Sequence, residues 1–324
     1  MRITLYLFAL FAFTLPHAAS ADYSQHPQAQ ALIRDLVYEG LNREELEGWL
    51  AQAEKQQRII DLMNKPAEKT KPWFEYRKHF ITDKRINDGL AFWNEHEETL
   101  NRVSEEYGVE PEIIVAIIGV ETSYGRITGS FRVIDALSTL AFDYPSRSPF
   151  FTSELKNFFH LAKEQAQDPL SLKGSYAGAM GYGQFMPSSY RNFAQDHDKD
   201  GFADIWNNPE DAIASVANYF AKHGWRKGEI SAVRARVTPN YNEALVNQLT
   251  RDGHSPNALV QEGFTPATDI AFPTSARPLK LELDNGAEFW LGLHNFYVIS
   301  RYNPRVKYAM AVFQLSELLK QQKG

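Results

Sequence analysis

The chain has 324 residues, 44% of them hydrophobic and 23% charged, and carries a formal charge of −6. That length can bury a substantial core and hold two or three domains. The acidic balance and the lack of any long Lys/Arg run exclude a nucleic-acid groove or a polybasic membrane patch as its main business. No cysteine is present, which excludes disulfides, thiolate metal sites, a cysteine nucleophile and a lipid anchor on cysteine.

In chain order, residues 1–21 read as a secretory leader. Arg2 gives a positive start, Ile3 to Leu15 is a short apolar stretch, and Ala19-Ser20-Ala21 is a small-x-small cleavage site. The stretch is too short to remain as a membrane span, so the expected product is soluble and exported. Helices follow. Asn42 and Glu45 form a plausible capping box ahead of Leu46, Trp49, Leu50 and Ala53 at helical spacing. The pattern predicts one long helix from about Asp83 to Tyr107, with Thr82 as cap and Gly108 just past its end. Pro111 then opens another helix, running through Ile113 to Val120.

Glu121 is the most unusual acid in the chain. Eight residues without a strong polar group precede it, and on a helix it shares a face with Ile117 and Ile118. A carboxylate so placed is partly desolvated, which favours the protonated acid that a glycosidic oxygen needs. The plainer reading is an exposed Glu at a helix end beside Thr122-Ser123-Tyr124-Gly125. The segment Gly174 to Pro187 is rich in Gly and Ala and carries Gln184 amid apolar neighbours. Such a stretch brings backbone close either to a ligand or to a neighbouring helix.

The third constellation is acidic. Asp196, Asp198, Asp200 and Asp204 stand at relative positions 1, 3, 5 and 9, with Gly201 at 6, which is calcium-loop spacing. The ligand candidates are Asp196, Asp198, Asp200 and Phe202; because Asn207 occupies the usual Glu position, a displaced last ligand comes from Glu210 or Asp211, and Asp211 is taken. Asp211 also suits a capping box with Asn208 at the next helix start, and both readings stay open. His96-Glu97-Glu98 fails as a zinc helix because Leu100 stands where the second His is needed, and no Gly-x-Ser-x-Gly elbow occurs. Beyond residue 230 the texture turns to strands. Leu279, Leu281 and Leu283 alternate, Asp284-Asn285-Gly286 is a turn, and Phe289, Leu291 and Leu293 alternate again. This predicts a hairpin within a small β-containing region, about 228–294, before helix resumes at Tyr308–Leu319.

Taken together, Gly119-Val120-Glu121-Thr122-Ser123-Tyr124-Gly125, Ser175 to Pro187, the acidic loop and Ser215 to Phe220 resemble the membrane-bound lytic murein transglycosylase B family in its soluble, non-lipidated form. The likeness runs from about residue 30 to Leu319. It implies a mainly α (α+β) fold with a lysozyme-like helical core over 106–227 and an EF-hand-like calcium loop at 196–211. It further implies a helical domain over 22–105 joined by 306–324, the β subdomain at 228–294, and a return to the cleft at 295–305. It implies a soluble periplasmic enzyme that cleaves the β-1,4 bond between N-acetylmuramic acid and N-acetylglucosamine in peptidoglycan strands and leaves 1,6-anhydromuramic ends. The single catalytic glutamate falls on Glu121. Cleft positions fall on Tyr76, Arg147, Ser175, Gln184, Phe185, Tyr219, Tyr302, Asn303 and Tyr308. Calcium is implied as a structural ion, with no cofactor for the chemistry. Ser146 stands where a second arginine is usual, and the acidic loop is one residue longer before Asp211. Asp135 and Asp143 keep a lysozyme-type hydrolase open as a rival, and a non-catalytic peptidoglycan-binding protein is the other.

Overall fold

A computed structural model describes residues 22–65, 71–268 and 275–324; the expected leader, 1–21, lies outside them. Helices dominate the described residues, with one two-stranded and one four-stranded antiparallel sheet. The mainly α fold expected from the sequence is the fold formed. No described helix is long and apolar enough to cross a membrane.

The helix Pro111–Thr122 is the centre of the molecule, with every residue from Glu112 to Val120 buried. Its sequence has no polar stripe because it has no solvent face. The helices Asp83–Glu95, Pro209–Lys222 and Val306–Lys323 all pack on it. Gly119 supplies room for one of these contacts: a Cβ there would lie 2.6 Å from the Tyr124 hydroxyl, which folds back over the helix.

The long helix expected from Asp83 to Tyr107 is two helices, Asp83–Glu95 and Glu97–Tyr107, with His96 between them at φ −112° and ψ 24°. Its ends are as expected: Thr82 accepts from Arg85 N at 3.1 Å and Gly108 closes in the left-handed region. The break falls where the apolar period fails. Ile86, Phe92 and Trp93 are buried on the first piece, Leu100 and Val103 on the second, and the span between them is polar. With nothing apolar to bury at 94–98, the chain turns so that each half presents its own face.

The predicted hairpin is present as Arg277–Glu282 and Ala287–Gly292, in a sheet whose strand order is 264–266, 232–237, 287–292, 277–282. Its two alternating runs do not share a layer. Leu279 is opposite Trp290 and Leu281 opposite Glu288, and facing residues point to the same side. Leu279, Leu281 and Trp290 therefore join the main core. Leu291 and Phe289 point the other way, into a small second core with Leu259, Phe264 and Val233. Glu282 and Glu288 of this hairpin accept from Trp73 N at 3.2 Å and Trp73 Nε1 at 3.0 Å. The short helix Trp73–Tyr76 is thereby tied to the sheet, and Tyr76 is fixed in place.

Candidate active site

Glu121 occupies the last turn of the buried helix, where the backbone stops abruptly. Ser123, Tyr124 and Gly125 all take positive φ, at 53°, 63° and 79°. Left-handed conformations are costly for Ser and Tyr, and side-chain bonds hold them. Thr122, fully buried, lies with Oγ1 2.9 Å from the Tyr182 carbonyl and accepts Gly125 N–H at 2.9 Å. Tyr124 donates to Arg85 O at 2.9 Å, and Arg85 donates to Gly119 O. The helix end is clamped on three sides, and Glu121 is left partly exposed above it.

The carboxylate is met from the far end of the chain. Tyr308 Oη donates to Glu121 Oε1 at 2.5 Å. Tyr308 is only 3% exposed. Burial first, and then the Glu121 charge, push its phenol well above the ordinary tyrosine range, so it remains a donor. Tyr302 is raised by the same two causes and donates to Gly183 O at 2.5 Å. Behind it Tyr219 donates to Arg301 O at 2.6 Å, and its phenol is pushed up to about 12 by burial. The rings of Tyr219 and Tyr302 lie 4.7 Å apart, with Phe185 6.0 Å from the first and 6.1 Å from the second.

Gln184 takes φ +52° and donates to Thr128 O at 3.1 Å and Gly181 O at 3.0 Å, so its amide is oriented by backbone. Ser175 Oγ accepts from Ala177 N at 3.3 Å and Ala179 N at 3.0 Å, which closes the Gly/Ala-rich turn. The turn packs closely on its neighbours. Gly181 packs against Ile205, where a Cβ could not fit, while Ser175 and Gln184 stay partly exposed. Asn303 follows the helix His294–Tyr302 in extended conformation, and its carbonyl accepts Arg305 N at 2.7 Å. Tyr76 is buried between Trp73 and Phe80. Tyr76, Tyr302 and Glu121 thus form one neighbourhood around Tyr308, each raising its phenol. Arg147 stands apart: it is exposed on a 3-10 turn, and its guanidinium lies over its own neighbours Phe150 at 4.7 Å and Phe151 at 5.0 Å.

The acidic loop folds around Asp211, which is fully buried. Asn208 caps the helix by accepting Glu210 N at 2.9 Å. Asp211 instead points back into the loop, where its two oxygens accept His197 N at 2.7 Å and Asp204 N at 2.8 Å. Carboxylate oxygens of Asp196, Asp198 and Asp211 come within 4.8 Å of one another. Asp200 is not in that group; its Oδ1 accepts Phe202 N at 2.8 Å. The Phe202 carbonyl accepts Asp204 N at 2.9 Å. Burial raises the Asp211 carboxyl, while those two backbone bonds and its neighbours Asp198 and Asp196 act more weakly and in opposite senses.

Two residues that matter here, Arg85 and His223, lie outside every sequence motif, and two within one, Thr122 and Tyr124, had no role assigned. Gly119 inside an apolar helix was the available hint, because an interior glycine marks a close approach. His223 stacks on Tyr219 at 4.0 Å, and its Nδ1 lies 2.7 Å from Tyr219 O.

Over residues 24–317 the sequence matches the transglycosylase SLT domain family. It is 45% identical over 306 residues to membrane-bound lytic murein transglycosylase B of Escherichia coli K12, covering 91% of this chain and 83% of that protein. The structure is similar to that of the catenated lytic transglycosylase SltB1 of Pseudomonas aeruginosa, with a TM-score of 0.89 and 46% identity, covering 94% of this chain and 100% of that one. It is also similar to the Escherichia coli lytic transglycosylase Slt35, solved in complex with calcium. There the TM-score is 0.83 and the identity 43%, with 94% and 96% of the two chains covered. These likenesses bear out the mainly helical, lysozyme-like architecture with small antiparallel sheets. The chain belongs to the transglycosylase SLT domain family and is a lytic transglycosylase acting on peptidoglycan.

Proposed function

We propose that Glu121 is both the acid and the base of this reaction. As the acid it protonates the glycosidic oxygen leaving from muramic C1. As the carboxylate it then takes the proton from the muramic C6 hydroxyl while that oxygen attacks C1, giving the 1,6-anhydro sugar without consuming water. Tyr308 holds the carboxylate in place between the two steps. Ser175 and Gln184 receive the acetamido group and hydroxyls, and Phe185, Tyr219, Tyr302, Asn303 and Tyr76 line the glycan groove. Arg147 meets the strand farther along, at a rim of exposed aromatic surface.

One observation carries the choice over a hydrolase. A two-carboxylate glycosidase needs a second acid facing the bond, and both sequence candidates are engaged elsewhere. Asp135 is buried, paired with Arg132 at 2.7 Å, and accepts Glu54 N at 2.9 Å. Asp143 accepts from Tyr23 Oη at 2.5 Å and pairs with Lys55 at 2.5 Å. Both serve to dock the N-terminal segment.

The acidic loop is read as a structural calcium site. Asp196, Asp198 and Asp211 would hold the ion, joined on small movements by Asp200 and the Phe202 carbonyl; the oxygen-only donor set suits a hard cation. Bound there, the ion supplies stability and takes no part in the chemistry. The same reading divides the chain into a helical part (22–105 with 306–324), a core (106–227), a β subdomain (228–294) and a return to the cleft (295–305). It places the exported enzyme in the periplasm as a soluble protein. Digestion of purified murein in ¹⁸O-labelled water is the test. Unlabelled anhydromuramic ends are expected; labelled reducing ends as the main product would make the enzyme a muramidase.

A further inference from the structure

Beside the glycan groove lies a cavity of about 400 Å³ whose lining includes Tyr76, Asn247, Leu249, Lys280, Arg305 and Lys307. The volume is that of a small-ligand pocket. Its charge runs against the rest of the molecule: three of the lining side chains are cationic and none is acidic, in a chain whose formal charge is −6. Two of these cations, Lys280 and Lys307, are held by side-chain and backbone acceptors of the fold. Lys280 Nζ donates to Tyr241 Oη at 2.9 Å and Glu243 at 2.8 Å, which pushes its pKa up to about 12. Lys307 Nζ donates to Lys71 O at 2.6 Å and pairs with Glu282 at 3.4 Å. An ammonium has three donors, so each lysine has one more to offer after these two contacts. The carboxylates that fix them, Glu243 and Glu282, are outside the lining. Leu249, Leu281 and Val306 add aliphatic wall.

The cavity is two side chains from the proposed catalytic group. Tyr76 is part of its wall and is near enough to Tyr308 to influence that phenol, and Tyr308 holds Glu121. Lys307 immediately precedes Tyr308 on the same helix. A neutral sugar has no use for fixed ammonium groups. The anionic part of murein is the peptide stem, which hangs from the muramic lactyl group and combines carboxylates with small aliphatic side chains. We propose that this cavity is a stem-peptide subsite, with Lys280 and Lys307 binding a stem carboxylate while the glycan lies across Glu121. This inference rests on the groove reading given above.

The test compares murein strands bearing stem peptides with the same strands stripped of peptide by an amidase and with the freed muramic lactyl carboxylates capped as methylamides. Lys280→Gln is expected to raise KM for the peptide-bearing strands by roughly threefold, the scale of one partly exposed ion pair, and adding Lys307→Gln by about tenfold in all. Both variants should turn over stripped strands as the parent does. Independently, the unaltered protein should bind a synthetic stem peptide, and bind it several-fold more weakly once its carboxylates are amidated. Equal effects on both substrates, or equal binding of the free and amidated peptides, overturn the subsite. If the parent enzyme cleaves neither strand, the groove reading fails, and the peptide titration still decides the subsite separately.

Discussion

Glu121 and Asp211 are both carboxylates drawn in from solvent, and the chain holds them by opposite means. Asp211 is gripped by backbone N–H groups of its own loop, from His197 and Asp204. Glu121 sits at the end of an apolar helix and is met by a phenol 187 residues away. Backbone donors cannot leave without unfolding the loop, so Asp211 is a fixed anchor whose remaining lone pairs can face a cation. The Tyr308 donor comes instead from a side chain on a neighbouring helix, so its contact with Glu121 does not depend on the fold of a loop. On the proposed function, the structural acid and the chemical acid differ in what holds them.

That contrast breaks most directly at Glu121. Glu121→Gln keeps the size and the contact with Tyr308 but removes the transferable proton, and muropeptide release should fall by at least about 10²–10⁴. Thermal unfolding should change far less than activity, because the amide oxygen can still accept from Tyr308. Near-normal turnover by the folded variant would remove the residue from the chemistry. Tyr308→Phe comes next. Losing a hydrogen bond to a charged acceptor is worth about 1.5–3 kcal/mol, so kcat should drop roughly tenfold to a hundredfold with little change in KM. A rise in KM at constant kcat would mean that Tyr308 binds sugar and does not position Glu121.

The same contrast explains what could be read from the sequence. Glu121 stood out because eight apolar residues lead to it, and local pattern records local burial. The acidic loop stood out because its spacing is local as well. Whether Asp211 caps its helix or turns into the loop was undecidable, since both need the same residue at the same place; Asn208 takes the cap alone. Tyr308, Tyr302 and Tyr76 came only from the family resemblance, because contacts spanning more than a hundred residues leave no periodic trace. The hairpin was legible but its layers were not. Alternation shows that a strand has two faces, and only the register, Leu279 against Trp290, assigns each face to a core.

The Asp211 side of the comparison predicts effects on stability. Calcium bound only to the folded state should raise Tm by mass action, about 2.7 kcal/mol at a hundredfold excess over Kd, or several degrees for a chain of this size. Asp211→Ala should abolish that response. It should also lower Tm without calcium, because the part-buried His197 N–H loses its acceptor, at about 1–3 kcal/mol, while Asp204 N–H keeps the Phe202 carbonyl. Turnover at low temperature should change far less than for Glu121→Gln. A demetallated protein whose melting ignores added calcium would refute the ion site and leave Asp211 as a loop anchor alone.

The smallest expected effect lies on the helix that joins the two regions. Pro209–Lys222 begins at the acidic loop with Asp211 and ends beneath the groove with Tyr219, and His223 just beyond it stacks on the Tyr219 ring. Burial, reinforced by the charge of Arg301, holds the His223 pKa below the usual imidazole value of 6.5, and its bond to Tyr219 O offsets only part of this. The folded-state pKa is depressed, so this contribution to stability is present above pH 6.5 and is lost as pH falls through the folded value: the unfolded chain takes up its proton first. Acidification from pH 7 to 5 should therefore lower Tm slightly through this group, by roughly a degree. His223→Gln, which cannot titrate, should remove that part of the slope and leave the slope due to carboxylates at lower pH. Parent and variant profiles that run parallel from pH 7 to 5 would show that the ring is not the source. A loss of activity over the same interval in the parent but not in His223→Gln would show the protonation reaching Tyr219 and Tyr302, and so place the groove, like the loop, under the control of this one helix.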